Sequence, residues 1–185
     1  MSSKSATTES TGIIAHDMSL ELIVIPVSDV DRAKRFYKNL GWRLDLDFFE
    51  DANDYRVIQF TPPGSSCSVI FGTNVTTAKP GTARDLYLVV SDIEAVRNQL
   101  IQLGVPVSEP FHDTSGVFHH ADGRFISTGF NPQRKSYASY ASFSDPDGNN
   151  WILQEITARL SGDVKNGDPR FTEGIVNAIR NSNHL

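Results

Sequence analysis

Two stretches of the chain repeat one another. Ser28-Asp29-Val30 and Ser91-Asp92-Ile93 each follow an apolar, β-rich run (LELIVIPV, 20–27; LYLVV, 86–90), and each opens a helically spaced segment that closes on Leu-Gly, at 40–41 and 103–104. From 28 to 91 and from 40 to 103 the shift is the same, 63. Self-similarity at a fixed offset restricts the fold more than composition does. Each copy must be one supersecondary unit that buries its apolar face against its twin.

Within the first copy, Ser28 or Asp29 can cap a helix with apolar positions Val30, Ala33, Phe36, Tyr37 and Leu40, and Gly41 stops it. WRLDLDFF (42–49) alternates like a half-buried strand. YRVIQF (55–60), a turn at Pro62-Pro63-Gly64 and CSVIFG (67–72) complete the order β-α-β-β-β. After the linker TNVTTAKPGTA (73–83) come LYLVV, the helix SDIEAVRNQLIQLG (91–104), the strand VPVSEPF (105–111), YASYASF (137–143) and NWILQEI (150–156). The expected fold class is α+β, one domain over 18–158 built from two tandem βαβββ modules, 18–73 and 84–158. The turns Pro62-Pro63-Gly64 and Pro146-Asp147-Gly148 lie 84 apart rather than 63, so the second copy carries 21 extra residues, assigned to an inserted loop at 112–136. Long Gly/Ser/Asp/Pro-rich connections inside compact domains are usually functional or disordered.

Residues 1–17, Ser/Thr-rich and aperiodic, read as a disordered tail. The extension 159–185 reads as carrying a short helix over 169–181, started by Asp168-Pro169, with the stripe Phe171, Ile175, Ala178 and Ile179. A net charge of −5 with both signs interspersed leaves no basic face for phosphates, so no nucleic-acid partner is expected. No stretch approaches the roughly 20 apolar residues of a membrane span, and the N-terminus lacks the roughly 7–15-residue apolar run of a secretory signal. The single Cys67 can form no internal disulfide. A cytoplasmic protein without a membrane partner is expected. G-x-S-x-G, G-x-G-x-x-G, Walker and zinc-spaced Cys/His patterns are all missing. PPGSS (62–66) precedes a strand rather than a helix, which makes it a hairpin turn and not a phosphate cradle.

Paired βαβββ modules that open with a strand, SD(V/I) and a helix ending in LG, the second closing on DPDGNNW (145–151), resemble the vicinal oxygen chelate superfamily of glyoxalases, bleomycin-resistance proteins and extradiol dioxygenases. The resemblance covers about residues 18–158. It implies a curved mixed sheet around a cleft, with metal ligands in metal-dependent members on the first and last strand of each module. Carried onto this sequence, those positions are Leu22, Ser68, Asp85 and Ile152. Two are aliphatic and a neutral Ser is a poor ligand, so no metal and no other cofactor is expected.

Strand alternation then places Gln154 beside Ile152, and Ile70 beside Ser68, on an apolar cleft floor with a few polar groups, suited to a mostly hydrophobic small molecule. Tyr87, Tyr140 and Tyr137 are candidate ligand-lining aromatics. Acid/base candidates are His119 and His120 in the inserted loop, of which at most one is expected to face a ligand, and Asp85, a carboxylate expected on an inner strand among apolar neighbours. The leading expectation is a metal-free isomerase or lyase acting by proton transfer on an apolar, carbonyl-bearing or aromatic substrate. The rival is a protein that sequesters a hydrophobic compound. A third possibility is a metalloenzyme, dioxygenase or lyase, with a displaced site drawn from Asp85, His112 and His119 or His120. The resemblance also implies a homodimer.

Overall fold

The computed structural model describes residues 18–114, 119–120, 122–158 and 172–182. The first module runs β1 (Leu22–Val24), α1 (Val30–Asn39), β2 (Arg43–Glu50), β3 (Tyr55–Thr61) and β4 (Ser68–Thr73). The second runs β5 (Leu86–Val90), α2 (Ile93–Gln102), β6 (Phe111–Asp113), β7 (Ile126–Thr128), β8 (Ser139–Ser144) and β9 (Asn150–Glu155), and α3 (Glu173–Ser182) follows. Both module helices start on the same device. The Asp29 carboxylate accepts from Arg32 N, and the Asp92 carboxylate from Ala95 N. This satisfies one of the amide groups that a helix N-terminus leaves unpaired, and it accounts for the shift of 63.

The strands form two mixed sheets, ordered β1-β4-β3-β2 and β5-β9-β8-β6-β7. In each, the module's first strand lies parallel to its last. The glyoxalase-like α+β expectation holds, with three local differences. The strand expected over 105–111 does not form before its last residue: Val107 makes a lone bridge to Phe143, and Pro106 and Pro110 remove the amide donors that a ladder needs, so pairing begins only at Phe111. The inserted segment is not simply a loop, because it contributes the edge pairing of β6 with β7. β2 is exposed on both faces rather than half-buried. It is an edge strand whose Asp47 turns toward α1 and pairs with Lys34 and Arg56.

The expected tail 1–17 and the helix start at Asp168-Pro169 lie outside the described residues, as does Phe171. In α3, among the residues whose side chains are described, Val176 is buried and Ile175, expected on the stripe, is exposed; Ala178 and Ile179 lie outside them.

Strand alternation sorts side chains onto two faces of each sheet. Ile58, Phe60, Val69 and Phe71 of the first sheet and Ala141, Phe143, Trp151 and Leu153 of the second join α1 and α2 in one core. The rings of Trp42 and Trp151 meet edge-on at 5.2 Å, and Tyr37 lies 5.0 Å from Trp42. Each large side chain buried here contributes about 1.5–3 kcal/mol. The modules therefore share their helix-side faces, and the opposite, open face of each sheet carries the candidate residues.

The turn Asp145-Pro146-Asp147-Gly148-Asn149 holds the seam. Asp145 accepts from the Tyr37 hydroxyl at 2.9 Å and from Asn149 Nδ2 at 2.8 Å. Asn149, wholly buried, also donates to Pro26 O and accepts from Ala83 N. Asp147 Oδ1 accepts from the Ser28 amide and hydroxyl and from Arg32. In the linker, Gly81 adopts φ +74, and a Cβ there would lie 2.0 Å from the carbonyl oxygen of Asp147. Only glycine fits both the conformation and the space.

Candidate functional site

On the second sheet, Tyr87 and Val89 of β5, Tyr140 and Ser142 of β8, Ile152 and Gln154 of β9, and Phe111 and Asp113 of β6 share the open face, since their sequence neighbours fill the core. Phe111 stacks on Tyr140, with ring centroids 5.6 Å apart. His119 lies against both, 5.8 Å from Phe111 and 5.6 Å from Tyr140, and its Nδ1 is 2.9 Å from the Tyr87 hydroxyl. Burial, then the neighbouring Tyr140 and Asp85 charges, push the Tyr87 phenol up to about 12, and burial raises Tyr140 too, so both stay protonated at neutral pH. Tyr140 and Gln154 donate to the carbonyl of Tyr137, which contributes its backbone rather than its ring.

His120 turns to a second partner. Its Nδ1 sits 2.6 Å from Asp113 Oδ2, and its ring packs 5.0 Å from Phe125. The Asp113 side chain is 2% exposed and that of His120 is 35% exposed, so the carboxylate is the buried anchor and the imidazole the accessible end. His112 is on the opposite face, its Nδ1 against Gly129 O. The adjacent histidines thus occupy two different settings, one in a ring cluster and one on a carboxylate.

Asp85 does not hold the place expected of it. It precedes β5 in a left-handed conformation (φ 54) and is exposed, so the burial on which its role as a base rested is missing. The registers explain why. Leu22 pairs with Ser68 as expected, but Ile152 pairs with Tyr87, two residues beyond Asp85. Aligning the turn glycines overshoots, because the first hairpin has the longer turn, with Phe60 opposite Val69 against Ser144 opposite Asn150.

On the first sheet, Leu22, Val24, Leu46, Phe48, Gln59, Ser68 and Ile70 share the open face. Ser68 Oγ lies between Gln59 Nε2 (3.1 Å) and Thr61 Oγ1 (2.8 Å), and Thr61 donates to Asp45. A divalent cation does not fit these positions. Leu22 and Ile152 carry no lone pair, and Ser68 is committed to its neighbours. The displaced set fares no better. His112 is turned away and His119 and His120 have other partners, and among the described residues no three His, Cys, Asp or Glu side chains gather as ligands.

Among the described residues, no hydrogen bond, ion pair or ring contact joins the open face of one sheet to that of the other. Two concavities of about 780 and 380 Å³ lie along the module seam, the larger lined by Phe36, Val107 and Phe143 and the smaller by Trp42, Pro62 and Leu100. Of the open-face residues named above, only Ser142 lines the larger one and only Val89 the smaller.

Sequence reasoning missed Phe111, Asp113, Gln59 and Thr61. The first two share a face in PFHD once pairing is known to start at 111, a register that the strand expected over 105–111 obscured.

The sequence profile of the Glyoxalase/Bleomycin resistance protein/Dioxygenase superfamily matches residues 19–153. The chain belongs to this superfamily. Among solved structures, TnmS3, an antibiotic binding protein from Streptomyces sp. CB03234, is 28% identical, with a TM-score of 0.55 over 78% of this chain and 99% of its own. A glyoxalase/bleomycin resistance protein from the same organism is 30% identical, with a TM-score of 0.54 over 74% of this chain and all of its own. A member from Sphaerobacter thermophilus DSM 20745 is 26% identical, with a TM-score of 0.55 over 75% of this chain and 98% of its own. No curated protein matches the sequence. A shared fold positions strands and leaves function to the side chains they carry. Among the described residues no helix is long and apolar enough to cross a membrane.

Proposed function

We propose that this protein binds and sequesters an apolar, ring-bearing small molecule on its open sheet faces, without a metal or other cofactor. The ring cluster of Tyr87, Phe111, His119 and Tyr140 carries the reading. Such rings offer large apolar area in geometry suited to stacking, and phenols held protonated supply hydrogen bonds without a desolvated charge. The likeness to an antibiotic binding protein at 28% identity supports the same reading. The ligand would be enclosed when a second copy brings its own open face opposite, so the proposed assembly is a homodimer. The proposed location is the cytoplasm, in keeping with a single cysteine.

The test is isothermal titration of the full chain against a panel of aromatic antibiotics and fused-ring phenols, with recovery of the bound compound by mass spectrometry. Expected are a binder returned unchanged and a roughly tenfold loss of affinity in Phe111→Leu and His119→Ala, the scale of one or two ring contacts. Binding that ignores both substitutions would refute the assignment.

A second reading, a proton-transferring isomerase or lyase, is favoured by the His120–Asp113 pair. A carboxylate on Nδ1 fixes the ring and leaves Nε2 as a base, the arrangement of an oriented general base. Conversion of the bound compound by the wild type, abolished in His120→Ala with binding retained, would establish catalysis over sequestration.

A further inference from the structure

We propose that Gln59 reads the polarity of the ligand on the first sheet, selecting molecules that present an O–H or N–H donor, and that Ser68, Thr61 and Asp45 are positioning residues that fix its amide. The proposal rests on the binding reading above and names what that reading leaves open, the chemistry recognised on the first sheet.

The hydrogen-bond chain has one direction. Hydrogen bonds from Arg43 and then Thr61 hold the Asp45 carboxyl below its ordinary range, so it is an anion and only accepts. Thr61 must therefore spend its hydrogen on Asp45. Its oxygen then accepts from Ser68 at 2.8 Å, and Ser68, its own hydrogen spent, accepts from Gln59 Nε2 at 3.1 Å. Turning the amide over would make Ser68 donate to Gln59 and leave the Ser68–Thr61 contact with no hydrogen between the two oxygens. The inventory of donors thus fixes the amide orientation.

Gln59 Oε1 consequently has no donor among the described residues. The directly paired neighbours of Gln59 are Leu46 and Ile70, so aliphatic side chains flank it across both strands. A ligand that covers it without donating a hydrogen bond strands a desolvated acceptor, whereas one that donates does not. Ser68 occupies a position that the family resemblance reserves for a metal ligand, and here it serves a hydrogen-bond relay.

The test uses 2-naphthol and its methyl ether, 2-methoxynaphthalene, which share a ring system and differ in the donor. Both are titrated into the ¹⁵N-labelled full chain, following the Gln59 side-chain amide, identified as the signal missing in Gln59→Leu. Expected is a preference of about tenfold for the naphthol in the wild type, the low end of what one stranded acceptor costs a ligand that cannot donate to it. In Gln59→Leu that preference falls below about twofold because nothing is left to strand. Ser68→Ala, which unlocks the amide without touching Gln59, narrows the preference as well. Equal affinities in the wild type, with signals of Phe111 and His119 shifting, would overturn this proposal and leave the ring-binding reading standing. A preference that persists in Gln59→Leu also overturns it. Failure of both compounds to bind would remove both readings together.

Discussion

Replacing Asn149 by Ala tests the seam most directly. The amide is wholly buried and makes three bonds beyond its own backbone: to Pro26 O at 2.9 Å, to Asp145 Oδ2 at 2.8 Å and from Ala83 N at 3.1 Å. Two neutral bonds at about 1 kcal/mol each and one to a carboxylate at about 2 kcal/mol give a loss of about 4 kcal/mol. Pro26 O keeps Gly81 N as a donor, so the group left stranded is Ala83 N–H. For a chain of this size that loss lowers Tm by about 8–16 °C. Trp42 and Trp151 are the only two tryptophans and they touch at the seam, so urea unfolding followed by fluorescence reports on the right place. Tyr37→Phe removes the other donor to Asp145 Oδ2 and the acceptor of Trp151 Nε1, and should cost about 2–3 kcal/mol. Because both variants act on Asp145, the double variant should depart from additivity by about 1 kcal/mol. If Asn149→Ala unfolds within about 1 kcal/mol of the wild type, the turn is not what holds the modules together.

Gly81→Ala should destabilise by more than about 2 kcal/mol, since it combines a left-handed residue with a backbone clash that cannot relax by a rotamer change, and thermal unfolding measures it. Asp47 is held at about 2, first by hydrogen bonds from Arg56 and then Lys34. Its folded-state affinity for protons is depressed, so its contribution is complete above the unfolded value of 3.8 and fades as pH falls toward 2. An acid titration of wild type against Asp47→Asn should differ by up to about 2 kcal/mol above pH 5 and converge only below about pH 2, and curves parallel throughout would contradict the pairing. Dialysis against chelator should move Tm by less than about 1 °C, because Leu22, Ile152 and the committed Ser68 offer no donor set that would hold a cation, and a larger drop with stoichiometric metal in the dialysate would overturn that reasoning. Sedimentation should give a dimer that Phe48→Lys, on the exposed face of the first sheet, shifts toward monomer.

The fold was legible because its signals are local and doubled. A cap, an apolar stripe and a stopping glycine recur at one offset, and both module helices begin within two residues of the expected place. The failures share a cause. Register across paired strands is a property of two segments and a turn, and no single run of residues encodes it. The run from turn glycine to last strand is longer in the first hairpin, Gly64 to Ser68 against Gly148 to Asn150, and that was enough to put Tyr87, not Asp85, beside Ile152. Pro106 and Pro110 were visible throughout, and weighing them would have moved the strand to its true start and exposed Phe111 and Asp113 as neighbours on one face. The pairing of His120 with Asp113, seven residues apart across β6 and the inserted segment, depends on a hairpin that composition alone does not predict.

Stability and recognition are divided between odd and even positions of the same strands. In β9, Trp151 and Leu153 join the shared core while Ile152 and Gln154, also buried, lie on the opposite face, and in β5 Leu86, Leu88 and Val90 pack against the core while Tyr87 and Val89 are exposed. Evolution, or a combinatorial library, can therefore rewrite alternate residues at 22, 24, 46, 59, 70, 87 and 89 and sample new chemistries at little risk to folding. A scaffold so partitioned diversifies faster than one in which the same side chains both stabilise and bind.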